Sequence, residues 1–175
     1  MPADNGTATA ADRFRAEQRV ELDLRTPPSR EEAGLADGSG TLIIERESER
    51  MLDVSLTLPN GAVLEVPAFG VVLSTSVDAA PDGPVESITV NRRVDDLATA
   101  RAALVANAPT LALDAAEVGA FFDGVQPGPR ETRVFASAGV GYLRIDVEVR
   151  HDPLNGEHVT IDYKLDWGSA AGSGA

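Results

Sequence analysis

Hydrophobic and polar residues alternate along most of this chain, which is the pattern of β-strands with one buried face. The clearest example runs from Leu52 to Leu58, where apolar side chains occupy every even position. Similar alternation or short apolar runs cover residues 20–24, 41–45, 64–66, 71–77, 85–90, 132–136, 140–150 and 158–167. The pattern predicts a sheet of about seven or eight strands.

A helical period replaces this alternation for part of the second half of the chain. Asp95 is placed to cap a first helix, and Asp114 with Glu117 forms an acidic variant of the capping box before a second. Gly124 follows as the stop signal of that second helix. The two helices predict one αα-hairpin over about residues 95–123, packed on one face of the sheet.

Together these elements predict an α+β fold with a mainly antiparallel sheet. We expect a single domain over residues 15–167, because that stretch holds the periodic patterns. Residues 1–14 are mostly small and polar, which predicts a disordered leader. Residues 168–175 contain only glycine, serine and alanine and predict a flexible C-terminal tail or linker.

Two Asn-Gly pairs allow the strand register to be predicted. Residues directly opposite each other in an antiparallel pair share a face, so apolar positions must lie opposite apolar positions. Three-residue loops at residues 59–61 and 154–156 meet this condition, whereas two-residue loops do not. The second hairpin then places Val149 opposite Ile161.

The polar face of that second hairpin carries charged pairs. The register places Asp146 opposite Lys164, which is attractive, and Glu148 opposite Asp162, which is repulsive. Two neighbouring carboxylates disfavour each other's charged form. The pair lies on a predicted exposed sheet face, which favours a structural role, and Glu148 and Asp162 are the first place to look for a raised pKa.

The charge and composition of the chain disfavour several classes of function. Of 175 residues, 28 are acidic and 15 basic, which gives a formal net charge of −13 at pH 7. Nucleic acids and anionic membrane surfaces attract clustered Lys and Arg, so neither is expected as a partner. The chain has no cysteine, which removes disulfides, thiol nucleophiles and zinc–thiolate sites. No apolar run approaches the roughly 18 residues of a membrane span, and no cofactor is expected.

One stretch of the chain concentrates negative charge. Residues 51–91 contain five acidic residues and no basic one. We expect these residues to present an acidic sheet surface to a protein partner, since such a surface attracts a basic protein. The candidate partner-binding residues are Asp53, Glu65, Asp78, Asp82 and Glu86.

The last turn of the chain holds a second candidate site, for a ligand or a metal. It contains His151, Asp152, Glu157 and His158, which are residue types that bind metals. The predicted register places His158 on the polar face and His151 on the apolar face, so the two rings point to different sides. A hairpin tip with one His–Asp pair is therefore the favoured interpretation, and no metal is expected.

Three functions are compatible with these observations. The first is a non-enzymatic binding or assembly module that presents the acidic surface, with edge strands that can accept another strand. The second is an acidic inhibitor or immunity-type protein that neutralises a basic partner. The third is a hydrolase or small-ligand binder that uses the hairpin at residues 151–158. An enzyme is not favoured, because no nucleophile elbow or phosphate loop occurs.

Basic residues in this chain are almost all arginine, with Lys164 as the single lysine. This composition and the Thr/Ala-rich start resemble small envelope-associated or lipoprotein-like domains of GC-rich actinobacteria. The resemblance implies an extracytoplasmic location if a signal or lipid anchor has been removed. If Met1 is the native start, a cytoplasmic location is expected. The resemblance gives no residue a role.

Overall fold

The computed structural model describes residues 8–35, 39–75, 83–126, 128–137, 139–155 and 158–167. The helices are α1 (Ala10–Glu17), α2 (Arg30–Ala33), α3 (Leu97–Asn107) and α4 (Ala115–Gly124). The strands are β1 (Arg19–Asp23), β2 (Thr41–Glu45), β3 (Leu52–Thr57), β4 (Val63–Ala68), β5 (Gly70–Ser74), β6 (Ser87–Val94), β7 (Glu131–Ala136), β8 (Arg144–His151) and β9 (Val159–Asp166).

The described strands form two sheets and not the single sheet expected, while the fold is α+β with mainly antiparallel pairing, as predicted. A three-stranded sheet has the order β1-β3-β4, and a six-stranded sheet has the order β2-β5-β6-β9-β8-β7. The one parallel pair among the described strands joins β1 to β3. The chain crosses between the sheets at Phe69, the single residue between β4 and β5. Buried side chains from both sheets form one cluster, so the sheets share a core.

Both predicted hairpin registers are confirmed. In the first hairpin Val54 pairs with Val66, and Gly61 takes the left-handed conformation (φ +82°) that its turn requires. In the second, Val149 pairs with Ile161. Residues 156 and 157 of the second loop lie outside the described residues. The apolar residues are even-numbered in the first hairpin and odd-numbered in the second, and the need to place them opposite each other determines both registers.

The predicted αα-hairpin is confirmed as α3 and α4, which pack against each other. Asp114 caps α4 by accepting hydrogen bonds from the backbone N–H groups that follow it. The expected cap of α3 was wrong by one residue: Asp96, not Asp95, accepts from Thr99 N (2.6 Å). Helix α3 begins at Leu97, so only Asp96 stands directly before its first turn.

The prediction of disorder was wrong for residues 10–14, which form the first turns of α1. Thr9 and Asp12 close a capping box at the start of this helix. Phe14 is almost fully buried and joins the core of the protein. Helix α1 packs against β1, β2 and α2. A single aromatic side chain therefore anchors a segment whose other residues are mostly small or polar.

The largest differences from the predicted strand bounds are at the end of β6 and at the start of β8. Strand β6 continues to Val94, because the polar residues after Val90 still pair with β9. Strand β8 begins at Arg144 rather than near residue 140. The residues before it form a turn, in which Gly139 (φ +105°) and Gly141 (φ +63°) take left-handed conformations.

Candidate functional site

One face of the six-stranded sheet packs into the core, and the other is open to solvent. In β9 the residues at odd positions are buried, and those at even positions face the open side. The open side carries polar and charged residues from β6, β9, β8 and β7. We call it the open face.

A chain of charged side chains crosses the middle of the open face. Lys164 Nζ donates to Glu148, Arg150 Nε lies 3.4 Å from Glu148 Oε1, and Arg150 Nη2 donates to Asp162. Asn91 Nδ2 donates to the other oxygen of Asp162. Glu148 and Asp162 are neighbours, as predicted. The cations between and beside them offset their repulsion.

Glu148 does not have a raised pKa. The hydrogen bond from Lys164 holds the pKa of the Glu148 carboxyl below its ordinary 4.5. Burial opposes this hydrogen bond with a smaller effect, and the charges of Lys164 and Arg150 lower the pKa further, each by less than burial raises it. Glu148 is therefore held as a carboxylate in an ion pair with Lys164.

Substitution of Glu148 provides a test of this ion pair through its pH dependence. Because the folded-state pKa is lowered, the stabilisation is complete above pH 4.5 and is lost as the pH falls through the folded-state value. We expect Glu148→Gln to lower the free energy of unfolding by about 0.5 kcal/mol at pH 7. Urea denaturation between pH 7 and 3 should show this difference disappearing. Glu65→Gln removes a carboxylate of the other sheet that has no ion pair with a described residue, and as the control it should change the free energy of unfolding at pH 7 by less than Glu148→Gln does. A difference that grows in acid would contradict the assignment.

A cleft of about 440 Å³ lies at one end of the open face. Four of its residues form one cross-strand row, in the order Arg93, Thr160, Arg150 and Thr132, on β6, β9, β8 and β7. The complete lining is Phe69, Asn91, Arg93, Arg130, Thr132, Arg150, Asp152, His158 and Thr160.

The two histidines lie on opposite sides of the sheet, as the register predicted. His151 is on the apolar face and only 5% exposed. His158 lines the cleft, and its Nδ1 lies 3.8 Å from Asp95 Oδ1. Asp152 also lines the cleft and accepts from Arg130 Nε (3.0 Å). Glu157 lies outside the described residues. Among the residues that the structure describes, no group of three or more His, Cys, Asp or Glu is placed to hold a metal ion.

The predicted acidic residues do not lie on a single sheet. Asp53 is in β3 and pairs with Arg50 (2.7 Å), and Glu65 is in the neighbouring β4. Glu86 lies instead beside the six-stranded sheet, between Ser74 and Trp167. Asp78 and Asp82 lie outside the described residues. The role of these acidic residues in binding stays a prediction.

The free edges of β2 and β1 are obstructed. Helix α1 packs along β2, and Arg15 Nη2 reaches Ile43 O at 3.5 Å. In β1 the residues whose backbone groups point away from β3 are Arg19, Glu21 and Asp23. Charged residues at such positions oppose the addition of another strand.

The free edge of β4 is obstructed in another way. A hydrogen bond from Leu58 N to Ala62 O (2.8 Å) extends the β3–β4 ladder and sets which backbone groups face inward. The outward-facing residues are therefore Val63, Glu65 and Pro67. Pro67 has no N–H to donate, and Glu65 adds a charge.

Strand β7 has a free edge without these obstructions. Ser137 N donates to Ile145 O (2.8 Å), so the odd-numbered residues of β7 turn their backbone groups toward β8. The N–H and C=O groups of Thr132, Val134 and Ala136 point outward. In the described part of the chain no strand pairs with them. Val134 is 50% exposed.

Comparisons with known proteins give no assignment. No family model matches the chain, and searches of curated proteins and of solved structures yield no significant match. No helix in the described ranges is long and apolar enough to cross a membrane. The open face and the β7 edge are therefore the features of the molecule that bear on its function.

Sequence reasoning did not identify the main residues of this region. Arg93 falls beyond the predicted end of its strand, and Arg130 lies before β7. Val94 was the one residue that could have revealed the longer strand. It continues the even-numbered apolar positions of Ile88 and Val90 beyond Arg92, and so indicates that the strand does not end at Val90. Asp152 and His158 were named at the sequence level and do line the cleft.

Proposed function

We propose that this protein is a non-enzymatic binding module that takes an extended segment of a partner protein as an added strand along β7. The observation that carries the proposal is the outward-facing backbone of Thr132, Val134 and Ala136, which offers alternating donors and acceptors. The other sheet edges of the described chain are covered, charged or contain proline. Addition of a strand satisfies the backbone groups of both partners.

The partner segment should come from a basic protein. A net charge of −13 attracts a positively charged partner at long range and repels a second copy of this chain. Val134 presents an apolar side chain beside the free edge. A β-branched or aromatic residue opposite it would stabilise the added strand, as such cross-strand pairs do within sheets.

Substitution of Val134 by proline tests this proposal. The N–H of Val134 does not take part in the pairing with β8, so the variant should fold normally, as proline on an edge strand does. A random decapeptide library displayed on phage is selected against the unmodified protein, and the affinities of the selected peptides are measured for both forms. We expect Val134→Pro to weaken binding at least tenfold, since it removes one donor and adds bulk at the edge.

Val63→Pro is the matched control, because Val63 is an exposed valine at an outward-facing position of β4. It should leave peptide affinity within about twofold. Failure of the library to yield binders, or equal weakening by both substitutions, would overturn the proposal. Sedimentation equilibrium of the unmodified protein and of Val134→Pro adds a further outcome. If the unmodified protein is a dimer and the variant is a monomer, the added strand comes from a second copy of this chain and not from a partner protein.

A further inference from the structure

We infer that the cleft on the open face is a binding site for a small anionic molecule that carries a carboxylate or phosphate group. This inference is independent of strand addition at β7, since Thr132 is the one lining residue that belongs to β7. It assigns a ligand class to a set of residues of which Thr132 alone also belongs to the proposed strand-addition edge.

The charge of the cleft is opposite to that of the protein. Its lining contains three arginines and one histidine against a single carboxylate, Asp152. The chain as a whole carries 28 acidic residues against 15 basic ones. Three arginines at one end of a sheet face in such a chain create a local field that attracts anions.

The arginines of the cleft differ in their own contacts. Arg130 donates to Asp152, and Arg150 donates to Asp162. The side chain of Arg93 is exposed and makes no hydrogen bond or ion pair with any described residue. A guanidinium that no neighbouring carboxylate neutralises can bind both oxygens of a carboxylate or phosphate.

The other groups around Arg93 are polar hydrogen-bonding groups. Thr160 is the cross-strand neighbour of both Arg93 and Arg150, so its hydroxyl lies between the two arginine positions. The Nδ1 atom of His158 is buried and has no hydrogen-bond partner among the described residues. The volume of about 440 Å³ lies in the range of small-molecule sites. Two arginines flanking a hydroxyl suit a ligand with one or two anionic groups.

Titration with inorganic phosphate and, separately, with citrate tests the inference at constant ionic strength, which sodium chloride maintains. We follow the backbone amide signals of Arg93, Thr132 and Thr160 by NMR. At least one of the two anions should cause saturable shifts of these signals, and the anion that binds more tightly identifies the group recognised. Arg93→Gln should weaken that binding at least tenfold. Arg101→Gln, an exposed arginine on α3 outside the cleft, should change it less than twofold.

Two results would overturn the inference. One is the absence of saturable shifts with both anions up to about 10 mM, a concentration well above that needed for a specific small-molecule site. The other is equal weakening by Arg93→Gln and Arg101→Gln, which would indicate nonspecific attraction. Val134→Pro should leave anion binding unchanged, so failure of this inference and failure of strand addition are separate outcomes.

Discussion

Replacement of Phe14 by alanine is expected to lower the free energy of unfolding by about 3–5 kcal/mol, the usual cost of removing a buried phenylalanine side chain. The Phe14 side chain is only 2% exposed. It connects α1 to the common core, so that its removal leaves a cavity and loosens the helix. Urea denaturation, followed by circular dichroism, measures the change.

The matched control for Phe14 is an aromatic residue outside the core. Tyr142 is 90% exposed, and Tyr142→Ala should change the free energy of unfolding by less than about 0.5 kcal/mol. Because α1 also covers the free edge of β2, Phe14→Ala should increase aggregation during unfolding. Equal effects of the two substitutions would show that α1 does not contribute to the core.

Replacement of Gly34 by alanine is expected to cost about 3 kcal/mol, since it combines backbone strain with a steric clash. Gly34 ends α2 in the left-handed conformation (φ +74°). A Cβ at this position would lie 2.3 Å from Ala11 N and 2.8 Å from Ala11 Cβ. Helix α1 would have to move away from α2, and it can do so only by disturbing the packing of Phe14.

Gly61 separates the two causes of the Gly34 effect. It also has a positive φ (+82°), but a Cβ there would meet no atom within 4 Å. Gly61→Ala should therefore show the conformational cost alone, about 1 kcal/mol. If urea denaturation shows that Gly34→Ala and Gly61→Ala lower the free energy of unfolding equally, the close approach of α1 and α2 does not constrain the fold.

Local pattern was sufficient to predict most of the elements. Alternation located the strands, and the requirement that apolar positions match gave the pairing of Val54 with Val66 and of Val149 with Ile161. The αα-hairpin followed from its capping residues and its change of period. These signals are local, because the hairpin partners and the caps are close in sequence.

The features that the sequence did not predict depend on contacts between distant residues. The cleft forms because β9 lies between β6 and β8, which brings Arg93 and Arg150 to either side of Thr160. The parallel pairing of β1 with β3 likewise joins strands that are separated by two other elements. Helix α1 was missed because one buried side chain, Phe14, has no periodic signal. The cleft and the β1–β3 pair could not be predicted because the sequence did not reveal the order of the strands in the sheets.

The four edge strands of the two sheets differ in how they are protected against pairing with another strand. A free strand edge favours aggregation, and natural sheets protect such edges with charges, prolines or covering elements. β2, β1 and β4 each have one of these protections. At β7 the outward-facing residues are uncharged, and the described chain does not cover them. Retention of one open edge is expected of a strand that pairs with another protein.

Amide hydrogen exchange of β7, with and without a selected peptide, is the direct test of strand addition at this edge. The amides of Thr132, Val134 and Ala136 should exchange rapidly in the free protein, because they point outward. Binding should slow all three by at least tenfold and leave Arg133 and Phe135 nearly unchanged, since those amides already face β8. Protection confined to other parts of the molecule, with rapid exchange retained at these three amides, would contradict strand addition at β7.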